Sequence, residues 1–414
     1  MASSKSAVSV QEALKIVLTS VSPLGWESIS ITEAFNRVLY EDIVSDIMIP
    51  PLDCSAMDGY ALMAKDTRGA SANSPIKLKL IGEIQAGALP AGLRVSTGTA
   101  IRIMTGAPMP QGADSVLKVE DALEESGHVT IYRETAQREN YRSAGENIQK
   151  GDNVLRRGDR LSSADIGILA SLNHHKVKAY RQPTVSIIST GDELAGLGQE
   201  VRTGQIRDVN AYALYSEIKK YNGLPEYLGI AKDTFNDTKN LFLKALHSDV
   251  VISTGGSAMG RYDFINEIYA DLDIELLFKW VKVKPGKPCI FGKKGDKLFF
   301  GLPGNPVASL TAFIQFVRPA LLRLMGAQRV NKPVINACLK DTVRRKPSEK
   351  VHLLRGYFTI ENNEFYVTTT GDQKSSIFRS MSQANCLIVF PENTAQITAG
   401  EKVAIQLLAH DEIL

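Results

Sequence analysis

The spacing of hydrophobic positions changes along the chain. Residues 10–20 and 32–41 carry apolar residues at helical spacing, which predicts two short amphipathic helices. Between residues 75 and 145, apolar and polar positions alternate, as in Ile76–Ile81 and His128–Arg133, and glycine or proline recurs between such segments. We therefore expect a small β domain in this part of the chain.

From Pro183 onwards the pattern predicts strands that alternate with helices. Three apolar strands are expected, at Thr184–Ser189, Asp249–Thr254 and Lys297–Gly301. The helices between and after them are expected to begin at an Asn210 cap, near Phe264 and after the third strand, where apolar residues continue to Leu324. This βαβ order predicts a mostly parallel sheet with helices on its faces.

After Gln328 the pattern returns to strands. Short apolar or alternating segments occur at Pro333–Leu339, Tyr357–Ile360, Glu364–Val367 and Leu387–Phe390. This stretch is typical of a compact β-barrel or sandwich. The predicted fold class is therefore α/β multidomain, with a mostly parallel sheet domain and β-rich domains on either side of it in sequence.

Composition narrows the classes of function. A chain of 414 residues is long enough for several domains. Its 48 basic and 45 acidic residues are spread along the chain, which argues against nucleic acid but leaves open a local basic pocket for a small anion. The 4 cysteines lack zinc spacing and fit a reducing cytoplasm. The sequence contains no apolar run of roughly 18 residues, so we expect a soluble, cytoplasmic protein.

Candidate chemistry lies where the predicted strands end, because ligands of open parallel sheets bind beyond the carboxyl ends of the strands. Ser189–Leu194 brings two adjacent carboxylates to one strand end, and Ser253–Asp263 is a glycine-rich loop before a helix. Gly301–Ser309 contains a rigid Pro-Gly-Asn-Pro turn. Between these loops, the alternating lysines of Lys279–Pro288 are predicted to project from one face of a strand.

Each of these features also has a purely structural interpretation. Asp263 is equally suited to cap its helix, Asp192 and Glu193 to be a solvated pair, and the lysines to protect a strand edge. Their coincidence at one edge of the sheet favours a phosphate-bearing ligand. Carboxylates beside such a ligand indicate a divalent cation, and we expect magnesium.

A separate segment, Pro50–Ala61, combines two prolines with Ser55, Asp58 and Gly59. The prolines favour an extended entry, and a hydroxyl and a carboxylate follow within three residues of each other. This composition is typical of a binding edge. The alternative is an Asp-Gly turn that closes a hairpin.

Six motifs together resemble those of the molybdopterin molybdenumtransferases, the MoeA family, which includes the E domain of gephyrin. They are Ser55–Ala61, Met104–Pro108, Ser189–Leu194, Thr254–Gly256, Lys284–Pro288 and Leu302–Val307, in the family's order. The resemblance implies magnesium-dependent insertion of molybdate into adenylated molybdopterin, with release of AMP. It further implies an elongated homodimer, in which the sheet domain of one subunit faces Ser55–Ala61 and the barrel of the other, and an adenylyltransferase as a possible partner.

The resemblance also implies domain boundaries. These are an α/β molybdopterin-binding domain of residues 1–26 and 182–328, a bridging domain of residues 27–46 and 148–181, a small β-rich domain of residues 47–147 and a C-terminal β-barrel of residues 329–414.

Roles for individual residues follow from the same resemblance. Catalytic roles are implied for Asp58, Glu193, Asp233 and Asp263, of which Glu193 and Asp263 also bind the metal. Substrate-binding roles are implied for Ser55, Thr105, Thr190, Gly191, Asp192, Gly255, Gly256, Lys282, Lys284, Lys287, Pro303, Gly304, Asn305, Pro306, Arg355, Ser375 and Ser376.

The sequence departs from the family pattern at five positions. Ala258 and Ala308 replace serines, Trp280 replaces a lysine, Asn147 replaces an aspartate, and Arg261 stands where an acid is common. Loss of two hydroxyl donors is expected to weaken oxyanion binding by about 1–3 kcal/mol each. We hypothesise that a guanidinium at 261 compensates. Two interpretations stay open: a transferase with a rearranged oxyanion pocket, or an altered paralogue or scaffold that holds adenylated molybdopterin without efficient transfer.

Overall fold

The computed structural model describes residues 7–255 and 264–408. Its α-helices are α1 (Val10–Thr19), α2 (Ser163–Ser171), α3 (Asn210–Lys220), α4 (Phe235–Ala245), α5 (Ile265–Asp271), α6 (Pro306–Ala312), α7 (Arg318–Leu324) and α8 (Arg379–Ser382). Short 3-10 turns lie at Ile31–Glu33, Ala64–Thr67 and Val119–Asp121, and a π-helical turn at Phe313–Val317 joins α6 to α7.

The strands are β1 (Trp26–Ser30), β2 (Ile43–Val44), β3 (Cys54–Ser55), β4 (Gly59–Leu62), β5 (Ile76–Ile84), β6 (Thr99–Ile103), β7 (Ser115–Lys118), β8 (Ala122–Glu125), β9 (His128–Ile131), β10 (Tyr141–Arg142), β11 (Asn153–Leu155), β12 (Lys176–Tyr180), β13 (Thr184–Thr190), β14 (Leu194–Ala195), β15 (Ile206–Arg207), β16 (Leu224–Ala231), β17 (Val250–Thr254), β18 (Glu275–Trp280), β19 (Val283–Lys284), β20 (Pro288–Lys294), β21 (Lys297–Leu302), β22 (Val334–Leu339), β23 (Val343–Arg344), β24 (Val351–Glu361), β25 (Glu364–Thr369), β26 (Cys386–Phe390), β27 (Gln396–Ile397) and β28 (Lys402–Leu407). The chain forms two compact units, of which the first comprises Met1–Tyr40, Gly158–Ser162 and Lys176–Leu414, and the second Glu41–Arg157 and Ser163–His175.

The first unit contains the predicted mostly parallel sheet. Its strand order is β16-β13-β17-β21-β20-β18, and the first four strands run parallel. Because successive side chains of a strand point to opposite faces, Ile187 and Ile252 pack into one core with α1, α3, α6 and α7. Their neighbours Ile188 and Val251 pack into the other core, with α4 and α5. The βαβ prediction is thus confirmed.

The start of α3 differs from the prediction. The helix begins at Asn210 with Val209 as its N-cap residue, and Oδ1 of Asp208 accepts a hydrogen bond from the backbone N–H of Ala211 at 3.2 Å. Asn210 instead donates its side-chain amide to the carbonyl of Gly304 at 2.7 Å. The asparagine therefore joins two loops at the same edge of the sheet.

One helical stretch, Pro306–Leu324, has the length and apolar composition of a membrane span. However, 89% of its most apolar window is buried inside the protein. Val307, Phe313 and Leu321 belong to the main core of the sheet domain. This stretch is therefore a core helix.

The C-terminal strands of the first unit form a closed barrel of five strands. β24, β25, β22, β28 and β26 pair in that order, and β26 pairs back onto β24. All of these pairs are antiparallel except β22 with β25. One strand of the preceding region, β19, adds to this barrel in parallel, so that Val283 faces Val351 and Lys284 faces His352.

The helix predicted over residues 32–41 is wrong. Only Ile31–Glu33 forms a 3-10 turn, and Asn36 adopts a left-handed conformation with φ of 64°. The backbone N–H groups of Leu39 and Tyr40 donate to Asp159 and Lys178, respectively, at 2.9 Å each. These long-range backbone pairings place Val38 and Leu39 in the interior. Helical spacing in the sequence does not reveal such pairings.

The second unit contains the predicted small β domain. Its six-stranded sheet has the order β7-β4-β6-β5-β9-β8, with only β5 and β6 parallel. Within Pro50–Ala61, β3 pairs with β10, whereas β4 pairs with β6 and β7. The alternative of a simple hairpin is therefore wrong, since the two strands of the segment have different partners.

Candidate functional site

Two acids meet where β13 and β16 end. The backbone N–H of Asp192 donates to Oδ2 of Asp233 at 3.4 Å, and the N–H of Asp233 donates to Oδ1 of Asp192 at 3.3 Å. A further bond, from Gly191 N–H to the carbonyl of Ala231 at 3.2 Å, holds the two loops together. Two predicted site residues, Asp192 and Asp233, thus lie side by side.

Glu193 lies next to this pair. Gly191 has a φ of 146°, and a Cβ at this position would overlap the Glu193 carboxylate. Within residues 7–255 and 264–408, no group of three or more His, Cys, Asp or Glu side chains is arranged to hold a metal ion. The other predicted metal ligand, Asp263, lies outside the described residues, as do Gly256, Ala258 and Arg261. Carboxylate oxygen is the chemistry that magnesium prefers, so the described acids fit part of such a site.

A buried carboxylate that the motifs did not reveal supports this edge. Asp208 is only 3% exposed, and its Oδ2 accepts hydrogen bonds from Ser189 Oγ at 2.6 Å and from Tyr227 O–H at 2.8 Å. Burial, reinforced by the bond to Asp208, raises the pKa of Tyr227. Asp208 therefore ties the end of β13 and the middle of β16 to the start of α3. Its position two residues before a helix is the signal in the sequence.

The glycine-containing loops after β17 and β21 approach each other closely. Gly255 has a φ of 85°, and a Cβ there would overlap the carbonyl and hydroxyl of Thr190. A Cβ on Gly304 would lie 3.6 Å from the Cα of Gly255. Thr190 Oγ donates to the carbonyl of Thr254 at 3.1 Å, and Pro306 stands in the first turn of α6. Glycine is thus required at position 255, whereas a Cβ at position 304 would make only an ordinary contact.

A cavity of about 980 Å³ opens beside these two loops, and we call it the junction pocket. It brings together predicted site residues from the sheet domain and the barrel. Those that line it are Gly255, Lys284, Lys287, Pro303, Gly304, Asn305, Arg355, Ser375 and Ser376. Thr190, Gly191, Asp192, Glu193, Asp233, Lys282 and Pro306 are absent from its described lining.

The junction pocket is strongly cationic. Besides the predicted Lys284 and Lys287, it is lined by Arg345, Lys350 and Lys374. Among its described lining residues the one carboxylate is that of Asp372, which pairs with Lys374 at 3.0 Å. The buried Nε of Arg345 has no hydrogen-bond partner among the described residues. This excess of positive charge favours a ligand with several negative charges.

The barrel half of the junction pocket comes from the same chain as the sheet half. The parallel pairing of β19 with β24 brings Lys284 opposite His352. The same pairing also corrects the prediction for the lysine run. β18 ends at Trp280 and β19 spans only Val283–Lys284, while Lys282 forms an ion pair with Glu349 at 3.0 Å. The lysines therefore do not share one face of a single strand.

Arg355 is fully buried and organises the loop that follows β25. Its guanidinium donates to Ser380 Oγ at 3.0 Å and to the carbonyls of Gln373, Lys374 and Asp372 at 3.1, 3.1 and 3.2 Å. Burial and the charge of Arg345 lower the pKa of Arg355 to about 10, so that it remains cationic at neutral pH. One buried side chain thus fixes the loop that presents Ser375 and Ser376 to the pocket.

In the second unit, Asp58 and Thr105 form a compact polar pair. Asp58 Oδ1 accepts hydrogen bonds from the N–H and the hydroxyl of Thr105, both at 2.7 Å. These bonds hold the pKa of the exposed Asp58 carboxyl below its usual value. Ser55 is buried, and its hydroxyl donates to the carbonyl of Met57 at 2.5 Å. Asp58 is therefore an exposed anion, while Ser55 shapes the turn that presents it.

Comparison with known proteins covers nearly the whole chain. A model described as the MoeA N-terminal region (domains I and II) matches residues 8–173, one described as a probable molybdopterin binding domain matches residues 186–323, and one described as the MoeA C-terminal region (domain IV) matches residues 340–408. A Haemophilus influenzae protein named molybdopterin molybdenumtransferase is 34% identical over 391 residues, 94% of this chain and 95% of the relative. The chain belongs to the molybdopterin molybdenumtransferase family.

Other members of this family agree. A Staphylococcus aureus molybdopterin molybdenumtransferase is 32% identical over 406 residues, which are 98% of this chain and 96% of the relative. The crystal structure of a molybdopterin biosynthesis MoeA protein from Pyrococcus horikoshii superposes with a TM-score of 0.83 at 33% identity, over 97% of this chain and 100% of that one. The predicted family and fold class are confirmed, as is a transferase role in molybdenum cofactor biosynthesis. The scaffold alternative is not favoured.

Two departures from the molybdopterin molybdenumtransferase pattern lie at the junction pocket. Ala308 lines the pocket, whereas the hydroxyl of Ser309 is buried and finds no hydrogen-bond partner in the described part of the chain. The displaced serine therefore does not replace the missing hydroxyl. The ring of Trp280 lies 5.3 Å from Nζ of Lys287, a distance typical of a cation–π interaction. An aromatic side chain at 280 thus holds a pocket lysine in position.

Proposed function

We propose that this protein inserts molybdate into adenylated molybdopterin and releases AMP. The observation that carries the proposal is the junction pocket, where Lys284 and Lys287 of the sheet domain meet Arg345 and Lys350 of the barrel. Both proposed substrates are anions, and adenylated molybdopterin joins a pterin to AMP through phosphate groups. A cavity of about 980 Å³ with a single carboxylate among its described lining residues suits a large polyanion.

The lining residues suggest where the different parts of the substrates bind within the junction pocket. We assign the phosphate groups to the glycine loops around Gly255 and Gly304, where the missing Cβ atoms allow a ligand close to the backbone. We assign the tetrahedral oxyanion to Lys284, Lys287 and the loop of Ser375 and Ser376. Lysines bind such an anion as point charges, and serine hydroxyls add neutral hydrogen bonds.

Magnesium dependence is part of the proposal. Glu193 and Asp263 are the proposed ligands. Asp192 precedes Glu193 in sequence, and Asp233 is paired with Asp192 across the two neighbouring strand ends. A divalent cation there would offset the negative charge that develops on phosphate oxygens as AMP leaves. The chain's own acids would hold the ion, and Asp208 would keep their loops in place.

The remaining assignments rest on family membership. We propose a homodimer in which Asp58 and Thr105 of each subunit face the junction pocket of the other. We also propose a cytoplasmic location, an adenylyltransferase that supplies the adenylated substrate, and the four domains with the boundaries given above.

A direct assay tests the proposed function. Purified protein is incubated with adenylated molybdopterin, magnesium and molybdate, and AMP is quantified by chromatography. We expect stoichiometric AMP release that requires molybdate and is abolished by a chelator of magnesium. Absence of AMP release at every concentration of molybdate and of tungstate would overturn the proposal.

A further inference from the structure

His352 is a titratable side chain inside the junction pocket. It lies near the start of β24, is only 6% exposed, and lines the cavity together with Lys284 and Lys350. Its Nε2 is 3.1 Å from Ser348 Oγ, and its ring packs against Phe390 with centroids 6.2 Å apart. The imidazole is therefore held in a defined position on the wall of the pocket.

The groups that face His352 are positively charged or neutral. On one flanking strand, β19, its direct neighbour is Lys284, and on the other, β26, its neighbour is the uncharged Phe390. The segment before β24 contributes Arg345, Ser348 and Lys350. Across the cavity, Asp372 is already paired with Lys374.

These surroundings disfavour an imidazolium in the empty pocket. Burial lowers the pKa of His352 below its ordinary value of 6.5, and the charges of Lys284, Arg345 and Lys350 lower it further. A bound dianion counteracts the effect of the neighbouring positive charges on the pKa of His352, because opposite charge within a few ångströms favours the protonated ring. The cost of burying the charged ring also falls, since an imidazolium beside an anion is a paired charge.

We infer that His352 is a proton-coupled contact for the tetrahedral dianion in the junction pocket, neutral while the pocket is empty and protonated when the dianion is bound. This inference rests on the proposed function only for the identity of the pocket's ligand. It adds a residue that the family motifs did not reveal, and it links oxyanion binding to proton uptake.

The sign of the linkage follows from the two protonation states. Between the lowered pKa of the empty pocket and the higher pKa of the occupied one, binding takes up a proton. Affinity therefore rises as the pH falls through this interval, by up to about tenfold per pH unit for one proton. Above the interval the ring stays neutral in both states, and below it the ring is charged in both.

The same mechanism discriminates between anions of one shape. A tetrahedral monoanion such as perchlorate offers roughly half the charge of sulfate or molybdate, so it stabilises the imidazolium less. We expect proton uptake with dianions and a much smaller uptake with monoanions. His352 would thereby favour the doubly charged form of an oxyanion over a singly charged competitor.

Calorimetric titration of the full-length protein with sodium sulfate tests the inference. Sulfate remains a dianion across pH 5.5–8, so protons taken up on binding come to the protein. Titrations at one pH in buffers of different ionisation enthalpy give the number of protons. At a pH between the pKa values of His352 in the empty and the occupied pocket, we expect an uptake of roughly half a proton or more per sulfate bound. Titration with molybdate should give the same proton uptake.

Two variants sharpen the experiment. His352→Gln keeps a side chain able to hydrogen-bond Ser348 but cannot titrate, and it should bind sulfate without proton uptake and without the pH dependence. His247→Gln, which changes an exposed histidine paired with Glu226 at 2.8 Å, should retain both. Sulfate binding by the wild type without proton uptake, or equal uptake by His352→Gln, would overturn the inference while leaving the anion pocket intact. Absence of any sulfate or molybdate binding would overturn both.

Discussion

Asp192 and Asp233 each accept a hydrogen bond from the backbone N–H of the other, at 3.3 and 3.4 Å. This exchange joins the loops after two neighbouring parallel strands, β13 and β16. It also holds two carboxylates beside each other at the edge of the sheet where ligands of such folds bind. The magnesium ion that we propose would lie near this pair, since carboxylate oxygens are its preferred ligands.

The first prediction concerns Asp233→Asn. The amide oxygen can still accept the bond from Asp192, so the loop should keep its structure, while one negative charge is lost. We expect the magnesium concentration for half-maximal AMP release to rise about tenfold or more. Asp237→Asn, on the adjacent helix α4, makes the same charge change and should leave this magnesium concentration unaltered. An identical magnesium dependence in both variants would contradict a metal role for this pair.

The second prediction separates the lysines. Lys284→Met or Lys287→Met should weaken molybdate binding by about 10- to 100-fold, since a charge-assisted hydrogen bond contributes roughly 1.5–3 kcal/mol. Lys282→Met removes a lysine that pairs with Glu349 and should change the dissociation constant less than about threefold. Calorimetry with molybdate measures all three. Equal losses across the series would mean that general charge, and not the pocket, governs binding.

The third prediction restores a hydroxyl. Ala308→Ser places an Oγ on the wall of the junction pocket and should tighten oxyanion binding by about two- to tenfold. Ser309→Ala removes a buried hydroxyl that has no partner among the described residues, so it should leave binding unchanged and not reduce stability. If the first substitution has no effect on the molybdate dissociation constant, the oxyanion does not lie against α6.

The fourth prediction tests the close packing behind the Asp58 turn. A Cβ at Gly59 would overlap the carbonyl of Leu117 on β7, so Gly59→Ala should destabilise the second unit by about 1–3 kcal/mol. Gly167→Ala, within α2 and with open space around it, should stabilise the same unit by about 0.4–1 kcal/mol. Hydrogen exchange of strand amides in β4 and β7 measures both. Equal protection of these amides from exchange in the two variants would contradict the prediction, because it would show that β7 moves away from the added Cβ without loss of stability.

The fifth prediction concerns acid stability. Burial alone would raise the pKa of Asp249, but hydrogen bonds from Arg181 and Thr184 outweigh it and hold the pKa below its ordinary value of 3.8. The unfolded chain therefore binds more protons, and the contribution of Asp249 is complete above pH 3.8 and lost as the pH falls through the lower, folded value. Thermal melting from pH 7 to 3 should show a shallower acid loss for Asp249→Asn than for the wild type. The exposed Asp296→Asn should follow the wild type.

Much of the fold could be predicted because local pattern and tertiary role agree. The strands at Thr184, Val250 and Lys297 are buried on both faces, and their sequences are mostly apolar without strict alternation. Where the local pattern and the tertiary role of a segment disagreed, the prediction was wrong. Residues 32–41 have helical spacing, yet Leu39 and Tyr40 satisfy their backbone through segments more than a hundred residues away.

The candidate site was only partly predictable for the same reason. Lys284 and Gly304 belong to motifs, so the sequence reveals them. Arg345, Lys350 and His352 enter the junction pocket only through the register of β19 on β24, which no local pattern encodes. Asp208 is a further case, because its role depends on Ser189 and Tyr227, which lie on separate strands.

Above all, we propose that the junction pocket binds the oxyanion substrate. Anomalous diffraction at the molybdenum edge, from crystals of this protein soaked in molybdate, tests it most directly. We predict one strong peak within about 4 Å of Nζ of Lys284 or Lys287 and near the loop of Ser375 and Ser376. A peak located elsewhere, or no peak at a molybdate concentration that supports AMP release, would contradict the account.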